Sequence, residues 1–214
     1  MMPDAPPAVW IKVCGMTNSA DAMAAAELGA DAVGFVFAPS PRQVSPEAAQ
    51  KIIKSLPPLV QTVGVFVDED PGRVAHVAES CDLDLLQFHG KETASYCGGF
   101  GRRVIKAVRV QNEDNLEVCS ENDGVVEAFL LDTYVAGQPG GTGITFDWKI
   151  AHAARKYGRI ILAGGLNPDK VAAAISVANP YGVDASSGIE QKPGVKDHDK
   201  IAKFIQEVRE AEKS

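Results

Sequence analysis

Short apolar runs alternate with amphipathic helical stretches along the chain, and this alternation constrains the fold more than any other feature. The runs are apolar on both faces, as expected for parallel strands that are buried on both sides. A strand, a helix and a further strand in this order form a parallel βαβ unit. The predicted strands are Val9–Cys14, Ala32–Phe37, Thr62–Val67, Leu83–Phe88, Arg103–Val108, Ala128–Asp132, Arg159–Ala163 and Gly182–Ala185.

Helix-start and helix-stop residues separate these strands. Ser45 and Pro46 predict an N-cap followed by the first helical position, and Gly29 predicts a helix stop. We expect Thr145 or a neighbouring residue to cap the sixth helix and Asn167 to cap the seventh. The predicted helices are Ser19–Leu28, Pro46–Ser55, Arg73–Cys81, Thr93–Cys97, Asn112–Ser120, Asp147–Lys156, Pro168–Val177 and Asp199–Glu212.

Eight strand–helix units predict a single (β/α)8 TIM barrel with parallel strands. The chain has 214 residues, which is compact for a fold that usually needs about 250. An open, doubly wound sheet is the alternative fold. No linker suggests a second domain, so we expect one catalytic domain over residues 1–214, with residues 1–8 as a flexible N-terminal tail. The Gly-rich stretch Tyr134–Gly143 is the longest irregular segment and is typical of a functional loop.

Charge and composition exclude several classes of partner. The net charge of −7 argues against nucleic acid or an anionic membrane surface as the main partner, because both require a basic patch. We expect no signal peptide and no transmembrane segment, and hence a cytoplasmic protein. None of the four cysteines forms a CxxC pair or a zinc-finger spacing, which predicts reduced thiols and no metal site.

Glycines and serines follow the last two predicted strands, at the strand ends where a β/α barrel places its chemistry. Backbone N–H groups at these ends, with a short extra helix, form the usual phosphate site of such barrels. We expect residues 187–190 to form that helix, and a third stretch containing Gly141 and Gly143 to approach the same anion. Plain turn glycines are the alternative. The candidate phosphate-binding residues are Gly164, Gly165, Ser186, Ser187 and Gly188.

Two ionisable residues end strands that face each other across the predicted barrel, Cys14 on the first strand and Asp132 on the sixth. Side chains alternate along a strand, so Lys12 shares a face with Cys14, and its ammonium would favour a thiolate that can act as a base. A carboxyl group near apolar walls can have a raised pKa and act as an acid. An inert buried thiol and a loop-anchoring aspartate are the alternatives, and the residues alone do not decide which group takes the proton.

Three further polar residues near strand ends are candidate substrate contacts. Arg42 follows two prolines that hold its loop rigid, and its guanidinium could bind a substrate carboxylate through two hydrogen bonds. His89 shares a face of the fourth strand with Gln87, and Asp184 lies near the end of the eighth. The alternatives are a solvated arginine, a structural histidine and an aspartate that binds a loop amide.

Five motifs occur in order from the first strand to the last. They are KVCGMT (12–17), QFHG (87–90), LD (131–132) with GGTGITFDW (140–148), LAGGL (162–166) and VDASSGIE (183–190). Each motif alone is weakly specific, but together and in register they resemble the phosphoribosylanthranilate isomerase family. Phe88, where leucine is usual, and Ala185 are small departures from the family pattern.

The resemblance implies an aldose–ketose isomerase of tryptophan biosynthesis that uses no cofactor or metal. The implied reaction is the Amadori rearrangement of N-(5-phosphoribosyl)anthranilate to 1-(2-carboxyphenylamino)-1-deoxyribulose 5-phosphate. By analogy with the family, Cys14 is the general base and Asp132 the general acid, and Arg42 helps to hold the anthranilate end. The expected partner is this small phosphorylated substrate, and the expected assembly is a monomer or a homodimer.

Other phosphosugar barrels are the nearest alternatives. A histidine-pathway aminoaldose isomerase would use two carboxylates, and indole-glycerol-phosphate synthase would need an added Lys/Glu arrangement and a longer N-terminal extension. A Schiff-base aldolase would use Lys12 or Lys106. A non-catalytic phosphosugar-binding protein would have no reason to place an acid and a base across the barrel mouth.

Overall fold

Eight parallel strands close into a barrel in the computed structural model, which describes residues 8–133 and 147–213. Each strand pairs with the next in chain order, and the eighth pairs with the first. The predicted (β/α)8 barrel is therefore confirmed, and the doubly wound sheet is wrong. The strands are β1 (Trp10–Cys14), β2 (Ala32–Val36), β3 (Gln61–Phe66), β4 (Leu85–Phe88), β5 (Arg103–Val110), β6 (Ala128–Thr133), β7 (Ile160–Leu162) and β8 (Gly182–Ala185).

Helices connect the strands along the outside of the barrel. The weak, polar fifth helix of the prediction is a 3₁₀ turn, Glu113–Leu116, followed by one short α-helix. The α-helices are α1 (Ser19–Leu28), α2 (Pro46–Ile53), α3 (Pro71–Ser80), α4 (Ala94–Cys97), α5 (Glu117–Glu121), α6 (Trp148–Ala154), α7 (Val171–Ala178) and α8 (His198–Ala211). None of the described helices is long and apolar enough to cross a membrane.

Local capping determines where the first two helices begin and end. The Asn18 side chain accepts a hydrogen bond from a first-turn N–H and starts α1, and Gly29 ends it with a φ of 105°. Glycine adopts this left-handed conformation without a Cβ penalty, so the predicted helix stop is confirmed. Ser45 accepts a first-turn N–H of α2, with Pro46 at the first helical position, as predicted.

Several predicted helix starts shift in the structure by one or two residues, and the start of the seventh helix shifts further. The seventh helix begins at Val171 rather than at Pro168, because Asn167 caps a turn that precedes the helix. The Asn167 side chain accepts the N–H two residues later, which orders that turn and delays the helix. The cap of α6 is Asp147, whose carboxylate accepts a backbone N–H of the helix. Thr145 lies outside the described residues.

The barrel wall separates two apolar layers, because strand side chains alternate between its faces. On β6, Phe129 and Leu131 pack in the outer layer with the helices, whereas Ala128 and Leu130 pack in the inner layer. Lys12 of β1 is fully buried, and the residues before and after it, Ile11 and Val13, pack in the outer layer. Because side chains alternate along a strand, Lys12 points to the barrel interior. The interior side chains at the carboxyl ends of the strands therefore project into the barrel mouth.

A short antiparallel hairpin follows β8, and the apolar pattern does not predict it. Its strands are β9 (Glu190–Lys192) and β10 (Val195–Lys196). They are only three and two residues long and mostly polar, so the Pro193-Gly194 pair between them is the one turn signal in this segment. The extent of a single domain over residues 1–214 stays a prediction.

The closing helix offers a test of the outer layer. Phe204 on α8 is fully buried, so Phe204→Ala should lower the free energy of unfolding by about 3–5 kcal/mol through lost burial and a residual cavity. Urea denaturation followed by circular dichroism measures this change. Gln206→Ala, on the exposed side of the same helix, should change the free energy of unfolding by less than about 0.5 kcal/mol. A small effect in both variants would contradict the packing of α8 against the barrel.

Candidate active site

A cavity opens at the carboxyl ends of the barrel strands, and every strand contributes to its wall directly or through the residue that follows it. Gly188 does not line this cavity, because it packs against the carbonyl oxygen of Leu166, with which a Cβ would clash. Gly141 and Gly143 lie outside the described residues. The candidate residues that do line the cavity are Cys14, Arg42, His89, Asp132, Gly164, Gly165, Asp184, Ser186 and Ser187.

A buried ion pair lies beside Cys14 in the barrel interior. The Lys12 Nζ is 2.9 Å from Asp184 Oδ1 on the neighbouring strand β8. Lys12 and Cys14 share a face as predicted, since a Cβ at Gly34 would lie close to both Lys12 Cε, at 3.2 Å, and Cys14 Sγ. Gly34 on β2 makes room for the thiol, since a Cβ at that position would lie 2.8 Å from Cys14 Sγ.

The pKa of the Cys14 thiol lies above its usual value. Burial is the largest cause because it disfavours the charged thiolate; Lys12 acts in the opposite direction, and the Asp184 carboxylate adds to the rise. Burial also acts to lower the pKa of Lys12, but Asp184 and Cys14 raise it overall. The expected effect of Lys12 on the thiol is therefore present, but burial outweighs it and the Asp184 carboxylate opposes it further.

On another side of the cavity, Asp132 contacts His89. Asp132 Oδ2 lies 3.3 Å from His89 Nε2, and Oδ1 accepts the N–H of Thr133 at 2.8 Å. The other ring nitrogen, Nδ1, lies 3.2 Å from the Gln87 amide nitrogen. An amide nitrogen only donates, so this contact favours the tautomer that carries its proton on Nε2, toward Asp132.

Arg42 faces the cavity with one edge of its guanidinium already occupied. Its Nε and Nη2 donate to the two carboxylate oxygens of Glu190, at 2.8 and 2.7 Å. These hydrogen bonds raise the pKa of Arg42 above its usual value. Arg42 is thus held in place rather than freely solvated, and its contact with a substrate stays a prediction.

Glycine backbones and serine side chains form the cavity wall after β7 and β8. Gly164 and Gly165 have φ values of 81° and 71°, a left-handed region that glycine adopts readily. A Cβ at Gly164 would also lie 2.9 Å from Asp132 Oδ1, so the loop passes close to the carboxyl group. Ser187–Ile189 forms a 3₁₀ turn, and the short extra helix predicted in this segment is therefore present.

Arg109 lines the cavity, but the sequence prediction missed it. The predicted fifth strand ends at Val108, two residues too early, whereas β5 continues to Val110. Ile105 and Ala107 pack in the inner layer, and the alternation of side chains assigns Arg109 to the same face. Its register partner on β6 is Asp132, so a longer strand prediction would have placed a cation beside the candidate acid.

Metal-ligand side chains do not cluster in the part of the chain that the structure describes. Within it, no group of three or more histidine, cysteine, aspartate or glutamate side chains is placed to hold a metal ion. The remaining cysteines, Cys81, Cys97 and Cys119, are buried as free thiols outside the cavity. The structure assigns these three cysteines no role in the candidate active site.

The raised pKa of Cys14 predicts how the thiol titrates. Thiolate absorbance near 240 nm, taken as the difference between wild-type protein and Cys14→Ser, should rise with a midpoint above that of an unburied cysteine, since burial disfavours the thiolate. The same difference for Cys81→Ser is the control for a buried thiol outside the cavity. A Cys14 difference already complete at neutral pH would contradict the net direction of the shift.

Comparison with known proteins gives a consistent family. The model of the N-(5'-phosphoribosyl)anthranilate (PRA) isomerase family matches residues 11–207. The N-(5'-phosphoribosyl)anthranilate isomerase of Geobacter sp. (strain M21) is 50% identical over 200 residues, which cover 93% of this chain and 97% of the relative. The enzyme of the same name from Pelobacter propionicus is 50% identical over 203 residues, covering 94% and 96%.

Solved structures agree with these relatives. Phosphoribosyl anthranilate isomerase from Thermotoga maritima superimposes with a TM-score of 0.89 at 44% identity, covering 94% of this chain and 99% of the other. A phosphoribosyl anthranilate isomerase in complex with reduced 1-(o-carboxyphenylamino)-1-deoxyribulose 5-phosphate gives a TM-score of 0.85 at 42% identity, with the same coverage. The family prediction from the motifs is confirmed, and the chain belongs to the N-(5'-phosphoribosyl)anthranilate isomerase family.

Proposed function

We propose that the protein catalyses the Amadori rearrangement of N-(5'-phosphoribosyl)anthranilate to 1-(2-carboxyphenylamino)-1-deoxyribulose 5-phosphate. Family membership makes it an isomerase of tryptophan biosynthesis. One observation supports both the reaction and its residues: the thiol of Cys14 and the carboxyl group of Asp132 line the same cavity. They lie on β1 and β6, which are not adjacent in the barrel. Such a placement suits an acid and a base that act on different atoms of a small substrate.

The first proposed step opens the ribose ring. Asp132 donates a proton to the ring oxygen, the bond between that oxygen and C1 breaks, and the lone pair of the anilino nitrogen forms a C=N bond to C1. The product of this step is a protonated Schiff base with a free hydroxyl at C4. His89, with Nε2 at 3.3 Å from Asp132 Oδ2, holds the carboxyl group toward the cavity.

The second proposed step moves the double bond. The Cys14 thiolate takes the proton from C2, and the electrons of that C–H bond form C1=C2 as the iminium nitrogen becomes neutral. The Cys14 thiol then gives its proton to C1, and the C2 hydroxyl gives its proton to the Asp132 carboxylate, which forms the ketone and restores both groups. Because its pKa is raised, the thiolate of Cys14 is a strong base once formed, and the Lys12 ammonium stabilises its charge.

The two ends of the proposed substrate match two parts of the cavity wall. The phosphate would be bound by the loops after β7 and β8, and the anthranilate carboxylate by Arg42. The compound bound to the solved relative, reduced 1-(o-carboxyphenylamino)-1-deoxyribulose 5-phosphate, carries both kinds of anionic group. The proposed phosphate-binding residues are Gly164, Gly165, Ser186 and Ser187, without Gly188, which does not line the cavity. The other proposed substrate contacts are His89, Asp184, Gly141 and Gly143.

The ion pairs of the barrel argue against the Schiff-base aldolase alternative. A lysine must be neutral to attack a carbonyl group. Lys12 is paired with Asp184, with a raised pKa, and Lys106 Nζ lies 2.7 Å from Glu92 in a second buried pair. Cys14, where a second carboxylate would be expected, argues in turn against the histidine-pathway isomerase.

Assembly and location are further parts of the proposal. A relative from Thermotoga maritima is described as dimeric, and we propose a monomer or a homodimer for this protein. The cysteines in the described part of the chain are free thiols, which agrees with a reducing compartment such as the cytoplasm.

The assay that tests the function follows the loss of phosphoribosylanthranilate fluorescence with purified protein. Wild-type protein should accelerate this loss, and Cys14→Ser and Asp132→Asn should each lower kcat by roughly 10²-fold or more, because each removes one proton-transfer group. Cys81→Ser and Asp169→Asn, which change the same residue types outside the cavity, should retain activity. Near-normal turnover in a folded Cys14 or Asp132 variant would remove that residue from the mechanism. If the fluorescence is lost no faster with wild-type protein than without it, the proposed reaction is wrong.

A further inference from the structure

Glu190 lies between two cations beside the cavity. Its Oε1 accepts from Arg42 Nε and from Lys196 Nζ, both at 2.8 Å, and its Oε2 accepts from Arg42 Nη2 at 2.7 Å. The Glu190 side chain is 4% exposed and that of Lys196 is fully buried. One carboxylate therefore holds a pocket-lining arginine and a buried lysine at once.

The charges of this cluster do not cancel. Arg42 and Lys196 carry two positive charges against the single negative charge of Glu190. The neighbouring pair of Lys12 and Asp184 is neutral. Burial lowers the pKa of Lys196, whereas Glu190 raises that of Arg42, so Arg42 is the cation at the cavity wall that a substrate anion can balance.

The geometry fixes the direction of the Arg42 guanidinium. Two parallel hydrogen bonds to Glu190 define its plane. The side chain also passes close over the backbone at Gly15, where a Cβ would lie 2.6 Å from Arg42 Cδ. No acceptor within residues 8–133 and 147–213 binds Nη1. Nη1 therefore lies on the edge of the Arg42 guanidinium that Glu190 does not occupy, and this edge can bind a ligand.

The other cation of the cluster reaches the serine loop. Lys196 Nζ donates to the Ser186 carbonyl oxygen at 3.2 Å, as well as to Glu190. Ser186 and Ser187 line the cavity at the proposed phosphate end. Glu190 is thus connected to Arg42 directly and to the Ser186 loop through Lys196. The arginine and this loop are neighbours, since a Cβ at Gly15 would lie 2.6 Å from Arg42 Cδ and 3.2 Å from Ser186 Oγ.

We infer that Glu190 is a positioning residue for substrate binding, an inference that rests on the proposed function. It aims Arg42 at the aromatic carboxylate of the substrate, and through Lys196 it holds the Ser186 loop at the phosphate. Glu190 itself does not touch the substrate, because its carboxylate oxygens are engaged by the two cations.

Three ligands test this inference on the full chain by titration calorimetry. The first is reduced 1-(o-carboxyphenylamino)-1-deoxyribulose 5-phosphate, the second is the same compound without the ring carboxylate, and the third is the same compound without the phosphate. The protein variants are Glu190→Gln, Glu190→Asp and Lys196→Met, each checked for its fold by circular dichroism and melting temperature. The readout is the ratio of Kd values between ligands, which a general loss of stability does not change.

Glu190→Gln should weaken binding of the first ligand by about tenfold or more, the worth of one charge-assisted hydrogen bond. Binding of the carboxylate-free ligand should weaken much less, because it makes no contact with Arg42 and because Lys196 keeps its hydrogen bond to the Ser186 carbonyl oxygen in this variant. If Glu190 only neutralised charge, its removal would leave more positive charge and tighten binding of the carboxylate ligand. Tightening, or equal weakening of both ligands, would overturn the inference.

Glu190→Asp tests the geometry of the carboxylate while it keeps the negative charge. It also takes the place of Glu190→Gln if that variant does not fold. Aspartate keeps the negative charge but is one methylene shorter, so it cannot hold both Arg42 and Lys196 at the same distances. We expect it to lose the preference for the carboxylate ligand as well. Wild-type ratios in Glu190→Asp would show that charge alone matters and would contradict a positioning role.

Lys196→Met tests the connection to the phosphate end. It leaves the Arg42–Glu190 pair in place but removes the donor to the Ser186 carbonyl oxygen. The variant should reduce the Kd advantage of the phosphate-bearing ligand over the phosphate-free one, and keep the preference for the carboxylate. An unchanged phosphate advantage would remove this arm of the inference.

Measurements on wild-type protein distinguish a failure of the proposed function from a failure of the role assigned to Glu190. If it neither binds the first ligand nor consumes phosphoribosylanthranilate, the proposed function fails. If it does both but the Kd ratios of the Glu190 variants equal those of wild type, only the role of Glu190 fails.

Discussion

Lys12 and Asp184 form an ion pair inside the barrel, at the seam where the first and last strands meet, and the fold and the cavity both depend on it. An ammonium removed from water is costly unless a carboxylate neutralises it. The register of β1 on β8 places Asp184 opposite Lys12, so this compensation exists only when the barrel is closed. The same pair lies beside Cys14, and barrel closure thereby also sets the electrostatic surroundings of the thiol.

The polar groups around the cavity form three arrangements, and each is assigned to a different part of the proposed reaction. The thiol of Cys14 lies beside the ion pair of Lys12 and Asp184, and Lys196 of the Glu190 cluster also acts on its pKa. Asp132 lies with His89 and the Gly164 loop at the cavity wall. The cluster around Glu190 places two cationic side chains against one carboxylate at the cavity edge. The pKa of the thiol therefore depends on charges from β1, β8 and the hairpin together.

Much of this arrangement was predictable from the chain, and the exceptions have physical reasons. The strand ends carrying Cys14 and Asp132 follow from apolar runs that stop at a polar residue. Arg109 was missed because the predicted strand stopped before this single exposed arginine, although the apolar Val110 follows it and also pairs with β6. The hairpin that carries Glu190 and Lys196 has no apolar periodicity, so neither member of that cluster could be predicted as a neighbour of Arg42.

The sequence by itself determined the barrel and the set of side chains at its mouth. Both follow from local properties: strands alternate with helices along the chain, and side chains alternate between the two faces of each strand. The assignment of Lys12 to the face of Cys14 is of this kind. Only the tertiary structure decided the net effect on the thiol, because burial and the charge of Asp184, which lies 172 residues from Lys12 along the chain, act through space. It also decided that Arg42 is held by Glu190, 148 residues further along the chain, because a long-range ion pair depends on which loops the closed barrel brings together.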